Sequence, residues 1–432
     1  MEQSVSAYHR IKEEDKARLE RVSKNYFEPP KGEWAELTSL AYHAGLREGL
    51  LNTVTTVEQD QIINKVVALL QPAQWRVPSD FMTYQHYQRV VETIDMTSSP
   101  GYPYLLNYPT NASMFNYKEG VYDQNRIEQV WSMVLAQIVN RRVDPIRLFI
   151  KPEPHSRRKM ELGRYRLISS VSVIDQIIDA MLFGEMNAAI IDNWLYTPVR
   201  VGWSPLNGGW RCMPYMTEQI AIDKSSWDWT AQGWLFDTVL QIRTRLCQTN
   251  TEKWLELASW RYKALFQQPW FVTSRGLLLQ QKSPGVMKSG CFNTLIDNSI
   301  MQLILHTRCM IRMGKPIGNI LVMGDDTLQD ALYGDELDRY ISILSECSIV
   351  KAHEYKLEFC GFSFHVSGNV EPVYRGKHAY KILYMNEKIA SEMADSYALL
   401  YHRSKYRSLI RSLFERMGLR LRSETEAELI YG

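Results

Sequence analysis

The chain has 432 residues, 45% of them hydrophobic, which is enough to bury two or three subdomains and excludes a disordered or fibrous protein. Lys plus Arg number 50 against 48 Asp plus Glu, so total charge predicts no polyanion partner, and any basic surface must arise by local clustering. The six cysteines are scattered with no Cys-x-x-Cys pair, which argues against a zinc ribbon or a disulfide framework and suits a reducing compartment.

In chain order, Met1 to Gln3 and the charged run from His9 to Arg21 lack the apolar core of a signal peptide, so no secretion is expected. Ser4 to Lys24 reads as a charged helix broken by Pro29-Pro30. A second helical region runs from Trp34 to Leu70, with a break near Asn52 to Thr56. Thr97 to Tyr104 is too rich in Pro, Gly and Tyr for a helix and reads as a shaped loop. Between Arg141 and Arg166 nine Lys or Arg face three acids, in a strand Leu148 to Ile150, a turn through Lys151 and Pro154, and a returning strand Arg164 to Ile168. This is either a solvated basic hairpin or a phosphate-binding ribbon.

Ser172 to Ile190 reads as a largely apolar helix, and Gln219 to Ile222 as a buried strand ending on Asp223. Helices are expected over Gly233 to Gln248 and Thr251 to Leu265, extended structure over Trp270 to Gln281, a loop opened by Pro284-Gly285 into Met287-Lys288-Ser289-Gly290, and after it a long helix to about Met313. Its apolar part, Ile300 to Met313, is interrupted by His306, Arg308 and Arg312 and is too short to span a bilayer. His306 and Cys309 share a face, where core packing is the commoner reading than metal binding. Leu321 to Leu328 reads as a hairpin with Gly324, Asp325 and Asp326 at its tip. A helix over Glu336 to Glu346 follows, then a strand Leu357 to Phe364 and a helical end, Ile389 to Leu421, with a basic run from Arg403 to Arg422.

A Gly-Asp-Asp turn is also ordinary hairpin chemistry. Its meaning changes if the Asp223 strand lies beside it, because two or three clustered carboxylates cannot all stay ionised without a cation. Oxygen ligands of this kind suit magnesium, or manganese in its place, and two such ions can drive an in-line phosphoryl transfer. Thr294 and Asn298, four apart, share a helix face that with Asp228 can read a ribose 2′-OH.

The order of these pieces resembles that of the viral RNA-dependent RNA polymerases. Asp223 and Asp228 match motif A, Ser289 to Asn298 motif B, and Gly324-Asp325-Asp326 motif C; Lys151 to Arg166 looks like motif F and Ser98 to Pro103 like motif G. The resemblance covers about residues 97 to 365. A finer similarity to the sobemovirus, polerovirus and barnavirus group rests on Gly163 to Ile168, Ser170 to Gln176, Met287 to Gly290 and Leu357 to Cys360. The sequence departs from that group at Ser226-Trp227, where Gly-Phe is usual.

The resemblance implies an α+β right-hand fold with an antiparallel palm sheet packed on helices. The implied division is 1–215 N-terminal extension and fingers, 216–250 and 286–370 palm, 251–285 a connection, and 371–432 thumb. It implies RNA-directed RNA synthesis from nucleoside triphosphates on a positive-strand viral genome, with Mg²⁺ held by Asp223, Asp325 and Asp326. Lys351, or secondarily Lys356, would be a general acid. Asp228, Ser289, Gly290, Thr294 and Asn298 would position the nucleotide, and Lys151, Arg158, Lys159, Arg164 and Arg166 the triphosphate. Ser99, Gly101, Tyr102 and Gly324 would meet RNA, while the basic run through Arg403 and Arg422 would track the product backbone. A reverse transcriptase would place a bulky side chain at Asp228, so no DNA product is expected. The expected setting is the host cytoplasm, in viral replication complexes, with a genome-linked viral protein as a further partner; membrane recruitment is not readable.

Overall fold

The computed structural model describes residues 5–432, so the reading of Met1 to Ser4 lies outside the described residues. The N-terminal third is mainly helical: α1 (Glu13–Ser23), β1 (Tyr26–Phe27), α2 (Glu33–Ala44), α3 (Thr56–Leu69), α4 (Tyr84–Val91), α5 (Asn111–Phe115) and α6 (Gln124–Asn140). There follow β2 (Ile146–Ile150), β3 (His155–Ser156), α7 (Arg157–Glu161), β4 (Leu167–Ser170) and α8 (Val173–Asp192). The middle contains β5 (Gln219–Lys224), α9 (Trp227–Thr230), α10 (Gly233–Leu246), α11 (Glu252–Phe266), β6 (Trp270–Val272), β7 (Leu278–Gln280) and α12 (Thr294–Met313). Then come β8 (Ile320–Met323), β9 (Asp326–Asp330), α13 (Gly334–Ser345), β10 (Val350–Glu354), β11 (Glu358–Phe359), β12 (Phe362–Phe364) and β13 (Val370–Pro372). The chain closes with α14 (Arg375–Leu383), α15 (Ala390–Leu400), α16 (Arg407–Arg416) and α17 (Glu424–Tyr431).

Four strands in the order β10-β5-β9-β8, all antiparallel, form the central sheet. Its alternation sends Ile220, Ile222, Ile320 and Val322 into the main core, while Leu321 and Leu328 face a second cluster with Trp203, Phe359 and Phe364. Both faces are therefore dry, which holds the strand register firmly. Beneath the sheet runs α12, buried from Ile296 to Met310 although it carries Asp297, His306 and Arg308. Each is paired: Asp297 accepts from Arg243 and Tyr262, His306 meets the Tyr340 hydroxyl and the Ile317 carbonyl, and Arg308 bridges Glu58 and Glu346. His306 has both ring nitrogens engaged in the core, and among the described residues no helix is long and apolar enough to cross a membrane.

A second sheet, ordered β4-β2-β6-β7, contains one parallel pair, β2 with β6. The N-terminal segment links distant parts: β1 pairs with β3, α1 packs on α14, and Asp15 accepts two hydrogen bonds from the Arg416 guanidinium at 2.8 and 2.7 Å.

Several elements differ from the sequence reading. The break expected near Asn52 to Thr56 is present but wider, running from Gly45 to Thr55 between α2 and α3, with Thr55 capping the second helix through the Glu58 N–H. Leu357 to Phe364 is a tight hairpin, not one strand, because Cys360 and Gly361 take φ of +50° and +81°. Strand β10 was not expected; Val350-Lys-Ala-His-Glu354 is a mostly solvent-facing edge strand and lacks the apolar alternation that betrays one. The basic helix expected through Leu421 is broken into α15 and α16. Much of its charge is met internally, Arg403 by Glu428, Arg411 by Glu424, Arg416 by Asp15 and Arg422 by Asp395. A continuous basic face is therefore corrected to a set of ion pairs that tie the C-terminal helices together.

The most demanding buried charge is Arg261, fully enclosed between Asp175 and Asp179, one turn apart on α8. Arg261→Met would leave both acids buried without a cation. It should lower stability by about 3–5 kcal/mol, read as a fall in the urea midpoint of unfolding.

Candidate active site

The hairpin β8–β9 closes Met323 on Asp326 with Gly324 and Asp325 as its two-residue turn. Gly324 has φ +61°, the positive value such a turn needs at its first position. Its N–H donates to Ser299 Oγ at 2.8 Å, and that hydroxyl donates to the Leu295 carbonyl, so the turn is pinned to α12. Ser299 was not singled out from sequence, because a serine inside an apolar helix carries no sign of the backbone it serves. On the other side β5 pairs with β9, and Thr327 Oγ1 donates to the Ile222 carbonyl at 3.1 Å. Asp223 thus reaches the same end of the sheet as Asp325 and Asp326.

The electrostatics record the crowding. Withdrawal from water, then the charges of Asp325 and Asp223, push the Asp326 carboxyl up to about 7. Lys351 occupies a bulge in β10 and donates to Asp223 Oδ2. Lys356, the second candidate, is turned away into Glu354 and Glu358 at 2.8 and 3.0 Å. Lys224, missed from sequence, alternates to the inner face beside Asp223 and is almost fully buried. Burial lowers its ammonium to about 8 against the opposing pull of Asp325. Among the described residues no three His, Cys, Asp or Glu side chains are arranged to hold a metal by themselves. A few carboxylates that leave positions for substrate oxygens are the donor set magnesium takes, so the residues fit that ion.

Asp228 lies on the one-turn helix α9, and Asn298 donates to its Oδ1 at 3.0 Å. Burial and then Asp325 raise the Asp228 carboxyl to about 6. The turn into α9 places Ser226 at φ +51°, a conformation that suits glycine and explains the physical pressure at this position. Thr294 opens α12 on the Asn298 face, and Ser289 and Gly290 precede the helix in a loop, as expected, with the helix starting four residues after Gly290. Ser289 Oγ accepts from the Ser169 N–H at 3.1 Å, and a Cβ on Gly290 would stand 2.7 Å from the Ser169 carbonyl. Both residues dock the loop onto β4 and are not drawn to Asp228.

The basic segment is organised by a buried anion that sequence reading passed over. Glu153 accepts from Arg166 at 2.5 Å and Lys377 at 2.8 Å, with Lys151 at 3.4 Å. Burial works against its charge, but Lys377, Arg166 and Lys151 outweigh that and hold the carboxyl down to about 2. Lys159 is lowered to about 8, first by burial and then by Arg166 and Arg164. Arg164 donates to Ser225 Oγ at 2.9 Å, two residues beyond Asp223. Arg158 is exposed on α7 and makes no ion pair among the described residues.

Gly101, at φ +73°, lies so close to α8 that a Cβ would approach Ser172 Cα to 2.9 Å. Ser99 Oγ accepts from the Gly101 N–H at 3.3 Å, and the Tyr102–Pro103 bond is cis. A cavity of about 660 Å³ joins three of the predicted segments, lined by Ser98 and Ser99, by Arg147 and Ser170, and by Gly290 and Phe292.

The model of the family described as viral RNA-dependent RNA polymerase matches residues 54–364. Protein P1-P2 of Pea enation mosaic virus-1 is 27% identical over 92% of this chain and 35% of its own length. The RNA-directed RNA polymerase of Mushroom bacilliform virus is 28% identical over 69% of this chain and 77% of its own. Replicase polyprotein P2AB of Southern bean mosaic virus is 27% identical over 77% of this chain and 37% of its own. The chain thus spans little more than a third of the two longer relatives. With the family model covering well over half of its residues, the chain belongs to the viral RNA-dependent RNA polymerase family.

Proposed function

We propose that this chain is the polymerase portion of a positive-strand RNA virus replicase, joining nucleoside triphosphates to an RNA 3′-OH under the direction of an RNA template. The observation that carries the reading is the meeting of Asp223 with Asp325 and Asp326 at one end of a sheet whose two faces are buried. In this reading the central sheet and α12 are the palm, the segments before residue 216 the fingers, and the helices after residue 370 the thumb.

Asp223 and Asp325 would be the main Mg²⁺ ligands, with Asp326 beside them. When bound, a divalent ion pair supplies Lewis-acid chemistry for in-line phosphoryl transfer. The chain's own groups do the rest. Asp228 and Asn298 hold the ribose, with Thr294 on the same helix face. Arg166, Lys151, Lys159, Arg164 and Arg158 receive the triphosphate, and Glu153 keeps the first two extended toward it. Lys351 is the candidate general acid toward pyrophosphate, a role worth roughly 10²–10⁴ in rate; its contact with Asp223 supports this reading. The cavity beside Ser99, Gly290 and Arg147 is the proposed path of the template, with Gly101 and Tyr102 shaping the loop at its rim. The proposed setting is a replication complex in the host cytoplasm, with a genome-linked viral protein as partner.

The purified protein, given an RNA template, labelled nucleotides and Mg²⁺, should form complementary RNA. Asp325→Ala should reduce product by about 10³-fold or more, since loss of a metal ligand removes several kcal/mol of transition-state stabilisation; undiminished synthesis would refute the assignment.

Metal binding should depend on pH in a defined direction. The Asp326 carboxyl is raised to about 7, so it carries a proton below that pH and must release it to act as a ligand. Mn²⁺ affinity, followed by electron paramagnetic resonance, should weaken about tenfold between pH 8 and pH 6 as one proton competes.

A further inference from the structure

The side chain that sets the ribose pair is one residue before Asp228. Trp227 is 2% exposed, and its indole N–H donates to Asn298 Oδ1 at 2.8 Å. An indole nitrogen can only donate, so the Asn298 atom that meets it must be the carbonyl oxygen. The amide is thereby fixed with Nδ2 toward Asp228 Oδ1, the contact seen at 3.0 Å. Two consequences follow. Nδ2 retains a second hydrogen, and Asp228 retains its other carboxylate oxygen, so the pair offers one donor and one acceptor to a neighbouring hydroxyl. A flipped amide would instead set a carbonyl oxygen against the carboxylate and remove that donor.

We infer that Trp227 is a positioning residue for sugar selection, whose indole N–H locks the Asn298 amide in the orientation that lets Asp228 and Asn298 read a 2′-OH together. The inference deepens the proposed ribose role of Asp228 and rests on it. Tight packing alone would not require tryptophan here, since phenylalanine would supply an aromatic ring. What phenylalanine lacks is the donor. With the donor absent, a buried Asn298 oxygen loses its partner, and the contact with Asp228 alone is left to hold the amide in that orientation.

The test is Trp227→Phe, alone and combined with Asn298→Ala, alongside Asp228→Ala. The readout is the ratio of kcat/KM for a ribonucleotide to that for its 2′-deoxy counterpart on one RNA template. Trp227→Phe should lower the ratio by roughly two- to tenfold, the worth of one hydrogen bond. In the Asn298→Ala background the same change should leave the ratio where Asn298→Ala alone put it, because no amide remains to be oriented. A purely structural tryptophan would lower rates for both sugars and leave their ratio intact. If Trp227→Phe does not fold, Trp227 replaced by β-(3-benzothienyl)alanine keeps the bicyclic shape and deletes only the N–H. An unchanged ratio in the N–H-less protein, with Asp228→Ala still eroding selectivity, overturns the inference alone. An unchanged ratio in Asp228→Ala itself overturns the ribose reading and this inference with it.

Discussion

Like charge held at short range is the constraint around which this molecule is built. Asp223, Asp325 and Asp326 gather at one end of the central sheet, and their mutual repulsion favours protonation or separation of the strands. Separation is prevented from both sides. The main core packs Ile220, Ile222, Ile320 and Val322 beneath the sheet, and Leu321 and Leu328 are covered above it. Ser299 then fixes the Gly324 backbone, so the hairpin tip cannot recoil from Asp223 without losing a hydrogen bond to α12. Two lysines soften the field, Lys351 at the edge and Lys224 from below. The sheet is thus rigid where its chemistry is unstable, the arrangement expected when a bound cation, not the protein, is to complete the charge balance.

The basic segment inverts this design. There one buried anion, Glu153, gathers Lys151, Arg166 and Lys377, and the anion sits inside while the cations reach outward. Long basic side chains have many rotamers to lose, and a shared buried carboxylate lowers the cost of presenting them in fixed positions. Lys377 belongs to α14, so the same carboxylate also joins the basic segment to the C-terminal helices. Arg164 reaches Ser225 beside Asp223. The basic segment and the carboxylate end of the central sheet are therefore coupled by a direct polar contact as well as by the one apolar core behind them both.

What could be read from the sequence divides along physical lines. The hairpin of the Gly-Asp-Asp turn, the strand ending on Asp223 and the helix face shared by Thr294 and Asn298 were legible because short strands and a helical i, i+4 spacing carry their own periodicity, whereas the approach of Asp228 to Asn298, 70 residues apart, was expected only through the resemblance. Helices with capping hydroxyls, such as α8 behind Ser172, were legible for the same local reason. The misses at the site were long-range. Ser299, Lys224 and Glu153 act through residues far away in sequence, and nothing in their immediate neighbours marks them. Strand β10 gains its structure only from β5, and the basic run beyond Arg403 looked like a free cationic face because its acids, Asp15, Asp395, Glu424 and Glu428, are dispersed along the chain.

The distribution of polar and apolar contacts also says which parts are joined by packing and which by polar links. The central sheet and α12 share one continuous apolar core with the second sheet, and relative motion there would expose large buried area. The C-terminal helices have a core of their own, shared with Ala7, Ile11 and Leu19 of the N-terminal segment. Their links to the basic segment include the β1–β3 pairing and the Lys377–Glu153 bridge, which are short and partly solvent-facing. Because Glu153 is buried, that bridge is screened by salt much less than a surface pair would be. The N-terminal segment therefore joins the C-terminal helices, through α1 on α14, to the basic segment, through β1 on β3. Leu399 and Tyr431 of the C-terminal helices join Leu321 and Leu328 in the second apolar cluster, so Asp223, Asp325 and Asp326 stand on a sheet that packing from both ends of the chain holds in place.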